Sequence, residues 1–111
     1  GIPDNEELKR KLKETLKQKL TEKEEDQLLE RLKNGDESAK NTLLKSLNWL
    51  IYELMVQYPD NRHSIEERVK RAERALLDLL NSEQNHPRVG LFKKFAAWNI
   101  KQVLLELLKA R

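Results

Sequence analysis

The apolar residues between Leu43 and Tyr58 constrain this chain more than any other feature. Leu43, Leu44, Leu47, Leu50, Ile51, Leu54, Met55 and Tyr58 recur at steps of mostly three and four, and Pro59 follows them. At about 3.6 residues per turn that spacing gathers the side chains on one side of a helix. Proline has no N–H to donate and its ring clashes with the preceding turn, so the helix must stop there. The expectation is one long helix over Glu37–Tyr58 whose apolar side is the core. The rest of the chain has to fold around it.

Cap signals divide the remainder. Asp4 is placed to cap a first helix, Asn5 to Leu20, whose apolar residues Leu8, Leu12, Leu16 and Leu20 sit at a strict spacing of four. That stripe is narrow and drifts around the helix, so residues 1–20 read as a charged helix or arm, loosely anchored or reserved for a partner. Residues 21–111 read as one domain. Thr21 with Glu24 forms a capping box for a second helix, Glu22 to Lys33, with Leu28, Leu29 and Leu32 inward. Asn34-Gly35 ends it, Gly35 being free to adopt the left-handed conformation. Asp36 caps the long helix. Ser64 and Glu67 open a fourth, Ile65 to Leu80. Its inner residues are Ile65, Val69, Ala72, Leu76, Leu79 and Leu80, and its outer face carries Arg68, Lys70, Arg71 and Arg74. Residues 81–87 read as a polar loop, and a fifth helix runs from Leu91 to Arg111, with Gly90 weakening its first turn. With almost no alternating segments, the fold class is all-α, a compact bundle of about five helices.

Charge is uneven along the chain. Residues 1–35 balance nine basic against nine acidic side chains, whereas residues 61–111 hold eleven basic and six acidic. From Gln84 to Leu105 there are four cations, Arg88, Lys93, Lys94 and Lys101, and no carboxylate. The positive field therefore lies toward the C-terminal end. The same stretch holds Phe92, Phe95 and Trp98, with Leu91, Lys94, Trp98, Lys101 and Leu105 along one side of the helix. Aromatic rings interleaved with ammonium groups suit a polyanion whose bases can stack.

Enzymatic chemistry finds little footing. There is no cysteine, and the two histidines, His63 and His86, sit in polar loops without partners at ligand spacing. No phosphate-cradling loop or nucleophile elbow is present. Glu24, Glu25 and Asp26 open a helix, where carboxylates favour the dipole. The expectation is a protein that is not an enzyme and carries no cofactor or metal. No apolar run reaches the roughly 20 residues of a membrane span. The reading is a cytoplasmic protein without a membrane partner.

Residues 20–58 resemble the start of the conserved core of bacterial RNA polymerase sigma factors. The turn Asn34-Gly35-Asp36-Glu37-Ser38-Ala39 is similar to that family's Gly-Asp-Glu-x-Ala junction before a long leucine-rich helix. Phe92-Lys93-Lys94-Phe95-Ala96-Ala97-Trp98-Asn99-Ile100-Lys101-Gln102 is similar to its promoter-reading helix, Phe-Ser-Thr-Tyr-Ala-x-Trp-x-Ile-Arg-Gln. Ser64-Ile65-Glu66-Glu67 resembles the start of the helix that docks on the polymerase clamp. The resemblance spans residues 20–108 and implies a sigma domain 2-like fold acting in transcription initiation, with core RNA polymerase and melted promoter −10 DNA as partners.

Carried over by position, the DNA-binding set is Arg88, Lys93, Lys94, Phe95, Trp98, Lys101 and Gln102, with Phe95 and Trp98 as the aromatic pair beside an unpaired base. The polymerase-binding set is Glu66, Glu67, Lys70, Arg71 and Arg74. The family's Gln-Glu pair is replaced by Lys70 and Arg71, and its second tryptophan by Asn99. Those departures leave open a sigma-like protein-interaction module, partnered by an anti-sigma factor or companion sigma subunit, and an unrelated helical bundle.

Overall fold

The computed structural model describes residues 2–85 and 91–109, and these form six α-helices and no strand. They are α1 (Ile2–Leu16), α2 (Glu22–Lys33), α3 (Glu37–Ser46), α4 (Asn48–Gln57), α5 (Ile65–Asn85) and α6 (Phe92–Lys109). The all-α bundle expected from the spacing of the leucines is what forms. Its hub is α4, which touches α1, α3, α5 and α6. Leu47, Ile51 and Met55 have no solvent exposure, and Leu32, Leu43, Leu76, Leu80, Ile100 and Leu104 close around them. With Leu8 of α1, these side chains belong to a single hydrophobic cluster drawn from every helix.

The cap signals behave as their chemistry requires. The Thr21 hydroxyl accepts from the Glu24 N–H at 3.1 Å while the Thr21 N–H donates to the Glu24 carboxylate at 2.9 Å. At the other end of α2, Gly35 takes φ 88°. Its N–H reaches the Leu32 carbonyl and the Asp36 N–H reaches that of Arg31. This double closure satisfies two orphan carbonyls and depends on a residue without Cβ strain. Asp36 Oδ1 then accepts from the Ser38 and Ala39 N–H groups and so starts α3. Hydrogen bonds from the Ser38 hydroxyl and then the Arg31 guanidinium hold the Asp36 carboxyl down at about 2. One glycine and one aspartate thus turn the chain between two packed helices.

The structure departs from the expected elements and helix faces in four places. The long helix is interrupted at Leu47, whose φ −97° and ψ 2° separate α3 from α4. At the break the Leu43 carbonyl accepts both the Leu47 N–H at 3.1 Å and the Ser46 hydroxyl at 2.9 Å. At the start of the chain, α1 begins at Ile2 and ends at Leu16, so Asp4 lies inside the helix rather than capping it. Leu8 is buried and Leu12 packs against the core, which docks α1 onto α4. Leu16 is 43% exposed, because each step of four advances about 40° around the helix and carries the stripe off the interface.

Farther along, α5 continues to Asn85, so residues 81–85 are helical where a loop was expected. Nothing in Asn81-Ser82-Glu83-Gln84 forbids a helix, and Glu83 is buried on the same element. Finally, Arg68 is not on the outer face of α5. It is 1% exposed, with its Nε donating to the Ser64 carbonyl at 3.2 Å. Arg68 follows Ile65 by three and precedes Ala72 by four, which puts it on the core-facing side. No helix among the described residues is long and apolar enough to cross a membrane.

Candidate nucleic-acid interface

The first half of α6 separates its residues cleanly into two sides. Phe92, Ala96 and Ile100 are buried. Opposite them, Trp98 is 58% exposed, Leu91 just before the helix is 48% exposed, and Lys94 is open to solvent. Lys94 precedes Trp98 by one turn and Lys101 follows it by one turn, so ammonium groups flank the indole on a single face. No acidic side chain occurs on α6 before Glu106. Gln102 is half-buried beside this face. Trp98 and Lys94 are thus exposed on this side of α6, while Lys101 is half-buried with its Nζ toward Tyr58.

Two of the predicted residues sit elsewhere. Phe95 is partly buried against the core, so the aromatic pair is split, with one ring turned inward and Trp98 outward. Lys93 points away from the open face. Its Nζ lies 2.9 Å from Glu25 Oε1, and the Glu25 side chain is 5% exposed. Arg88 lies outside the described residues. The open basic face is thus made of Lys94, Lys101 and Gln102 around Trp98.

The Lys93–Glu25 pair belongs to a second cluster. Trp49 on α4 is buried, with Lys19 Nζ 4.3 Å from its ring centroid and Lys93 Nζ 6.0 Å from it. Neither Glu25 Oε2 nor the Trp49 indole N–H has a hydrogen-bond partner. Beside this cluster a cleft of about 240 Å³ runs between α2 and the start of α6, lined by Glu22, Glu25, Asp26, Leu91, Lys93 and Lys94. Glu22 and Asp26 are the exposed carboxylates of this edge, Glu25 being buried and paired.

At the other edge the surroundings are aromatic. Lys101 Nζ stands 5.7 Å from the ring centroid of Tyr58, the last residue before Pro59. The loop beyond is ordered by Asp60, whose Oδ1 accepts from the Arg62 N–H at 2.8 Å and the His63 N–H at 3.2 Å. His63 Nδ1 meets Asp60 Oδ2 at 2.7 Å. The Arg62 guanidinium donates to the Leu108 carbonyl near the end of α6, which ties this loop to the helix.

The predicted polymerase-binding residues divide between two surfaces. Glu66 and Lys70 line a cleft of about 460 Å³ with Glu7, Lys11, Tyr52 and Glu73. Burial first, then the carboxylates of Glu73, Glu7 and Glu14, push the Tyr52 phenol above its ordinary value. Glu67, Arg71 and Arg74 are exposed on the adjoining side of α5, where Arg74 Nε lies 3.4 Å from Asp78.

One residue beside the candidate site, Glu25, departs from the sequence reading. Glu25 was assigned to the dipole, but it precedes Leu28 by three and Leu32 by seven, which places it on the buried side of α2. Tyr58 packs against the core as its place on the apolar stripe implies, and is half-buried at the end of α4. No family model, curated protein or solved structure matches this chain.

Proposed function

We propose that this chain is a sigma-like transcription initiation protein that binds the single strand of a melted promoter −10 region on the outer face of α6, with α5 turned to core RNA polymerase. The observation that carries the reading is Trp98, the most exposed large apolar side chain among the described residues, set between Lys94 and Lys101 on a face without carboxylates. The order of the sequence motifs supplies the transcriptional setting.

Magnitudes indicate which form of DNA is bound. Stacking one base on an aromatic ring contributes about 1–3 kcal/mol. Extruding a base from duplex costs a few kcal/mol. One indole can hold an unpaired base but cannot drive opening as well, so the ligand is a strand already melted. The two flanking lysines neutralise two phosphates, and single strands lose about 0.7 per phosphate in the salt slope, so log K should fall with a slope of about −1.4 against log salt.

The test is binding of a −10-type single-stranded oligonucleotide at several salt concentrations. Trp98→Ala should weaken it about tenfold, the equivalent of about 1.4 kcal/mol. Equal binding by wild type and Trp98→Ala would reject DNA reading. A second reading, a sigma-like module that docks protein on this face, is favoured by Leu91, exposed seven residues before Trp98 and therefore on the same side. Recovery of core polymerase from a bacterial lysate supports the first; recovery of another protein with no oligonucleotide binding supports the second.

A further inference from the structure

The two edges of the α6 face differ, and the difference assigns a direction to anything lying on it. Toward the start of α6 stand the exposed carboxylates of Glu22 and Asp26, which repel phosphate, beside the buried Lys93–Glu25 pair. Toward the end of α4 stands Tyr58, which shares Lys101 with the Trp98 face. Resting on the reading of α6 as a single-strand site, we propose that Tyr58 is a second base-stacking platform, covered in the free protein by the Lys101 ammonium, and that the strand leaves Trp98 toward Tyr58 rather than toward α2.

The exchange this requires is favourable. In the free protein Lys101 Nζ lies 5.7 Å from the Tyr58 ring centroid, within cation–π range. A strand brings a phosphate, which draws a flexible ammonium more strongly than a ring face does, and a base, which stacks on the face the ammonium leaves. Lys101 follows Trp98 by three residues, about 4.5 Å along the helix axis, and its Nζ lies toward Tyr58. Arg62, fixed to the Leu108 carbonyl, keeps the loop after Tyr58 seated against α6 and so holds the second ring in register.

The test uses the whole chain and a length ladder of single-stranded oligodeoxyadenosine. Wild type should gain affinity with length beyond the strand that covers Trp98. Tyr58→Leu, which keeps an apolar side chain against the core, should bind long strands about tenfold more weakly. It should bind the shortest strands like wild type, with an unchanged salt slope. Tyr58→Phe should restore the long-strand affinity. Lys101→Met should lower the salt slope by about 0.7 while keeping the length dependence. Identical ladders for wild type and Tyr58→Leu overturn the proposal. Ladders unaffected by Trp98→Ala overturn the α6 site itself, a separate failure. Photocrosslinking of a thiothymidine-substituted strand to the unmodified chain gives a measurement independent of any variant's folding. Adducts at both Tyr58 and Trp98 support the path, and adducts at Trp98 alone or toward α2 overturn it.

Discussion

The chain has two tryptophans, and each stands near two lysines, yet their settings are opposite. Trp49 is 6% exposed, with Lys19 and Lys93 reaching its ring from α2's side of the molecule and from α6. Trp98 is 58% exposed, with Lys94 and Lys101 on its own helix. Around Trp49 the cations are committed, Lys93 to Glu25 and Lys19 to the ring itself. Around Trp98, Lys94 is open to solvent, while Lys101 is half-buried with its Nζ near the Tyr58 ring and leaves the indole face uncovered. A tryptophan among lysines is therefore no sign of a ligand in itself. What separates a structural from a receptive site is whether protein groups already occupy the ring face and the ammonium.

The largest effect that tests this contrast is on stability. Trp49→Ala should cost about 3–5 kcal/mol, the range for truncating a buried large aromatic. Trp98→Ala should cost under about 1 kcal/mol, as expected for an exposed position. Urea titrations of the two variants measure both numbers. Equal losses would break the contrast and make Trp98 a core residue. The core itself offers a calibration, since Leu47→Ala removes a side chain with no exposure and should fall at about 2–5 kcal/mol.

A middle effect concerns the lysines. Lys93→Met leaves the Glu25 carboxylate buried and without its cation, at a cost of about 1–3 kcal/mol. That is below the about 3–5 kcal/mol for breaking a fully buried pair, because the Lys93 side chain is 38% exposed and water reaches it. Lys94→Met, one residue later, should leave stability within about 0.5 kcal/mol. If both variants also lose oligonucleotide binding equally, Lys93 belongs to the receptive face and the division of the α6 cations is wrong. If only Lys94→Met loses binding, the division is sharpened to a single residue step.

That single step marks how far the sequence could be read. Helix identity, the left-handed Gly35 and the cap at Thr21 rest on local chemistry, so spacing and residue type were enough to place them. The exposed Trp98 was also legible, because Ala96 and Ile100 on either side of it define the buried stripe of α6. The break at Leu47 was not, since Leu43, Leu47, Leu50 and Leu54 keep one helical spacing straight across it. The fate of Lys93 was not either. It depends on α2 lying across the start of α6, a tertiary juxtaposition that brings residue 25 to residue 93. Arg68 was misread because charge was given more weight than its step of three from Ile65 and four to Ala72. Helix-face position decided the matter, as it did for Glu25.

The smallest effect isolates the cation–π contact itself. Lys19 lies in the link between α1 and α2, exposed apart from its place over Trp49, so Lys19→Met removes the ammonium while keeping much of the apolar stem. A cation at 4.3 Å from a ring centroid is worth about 0.5–1 kcal/mol at an exposed site, and the loss on unfolding by urea should be of that size. Because truncation alone could give a similar number, the decisive quantity is the coupling in a cycle with Trp49→Phe. Phenylalanine keeps a ring but a weaker cation site, so the Lys19 effect should shrink in that background. An undiminished effect would mean that Lys19 contributes through its stem alone. The ring face of Trp49 would then be covered but not electrostatically used, and exposure by itself, without the commitment of the cations, would distinguish the two tryptophans.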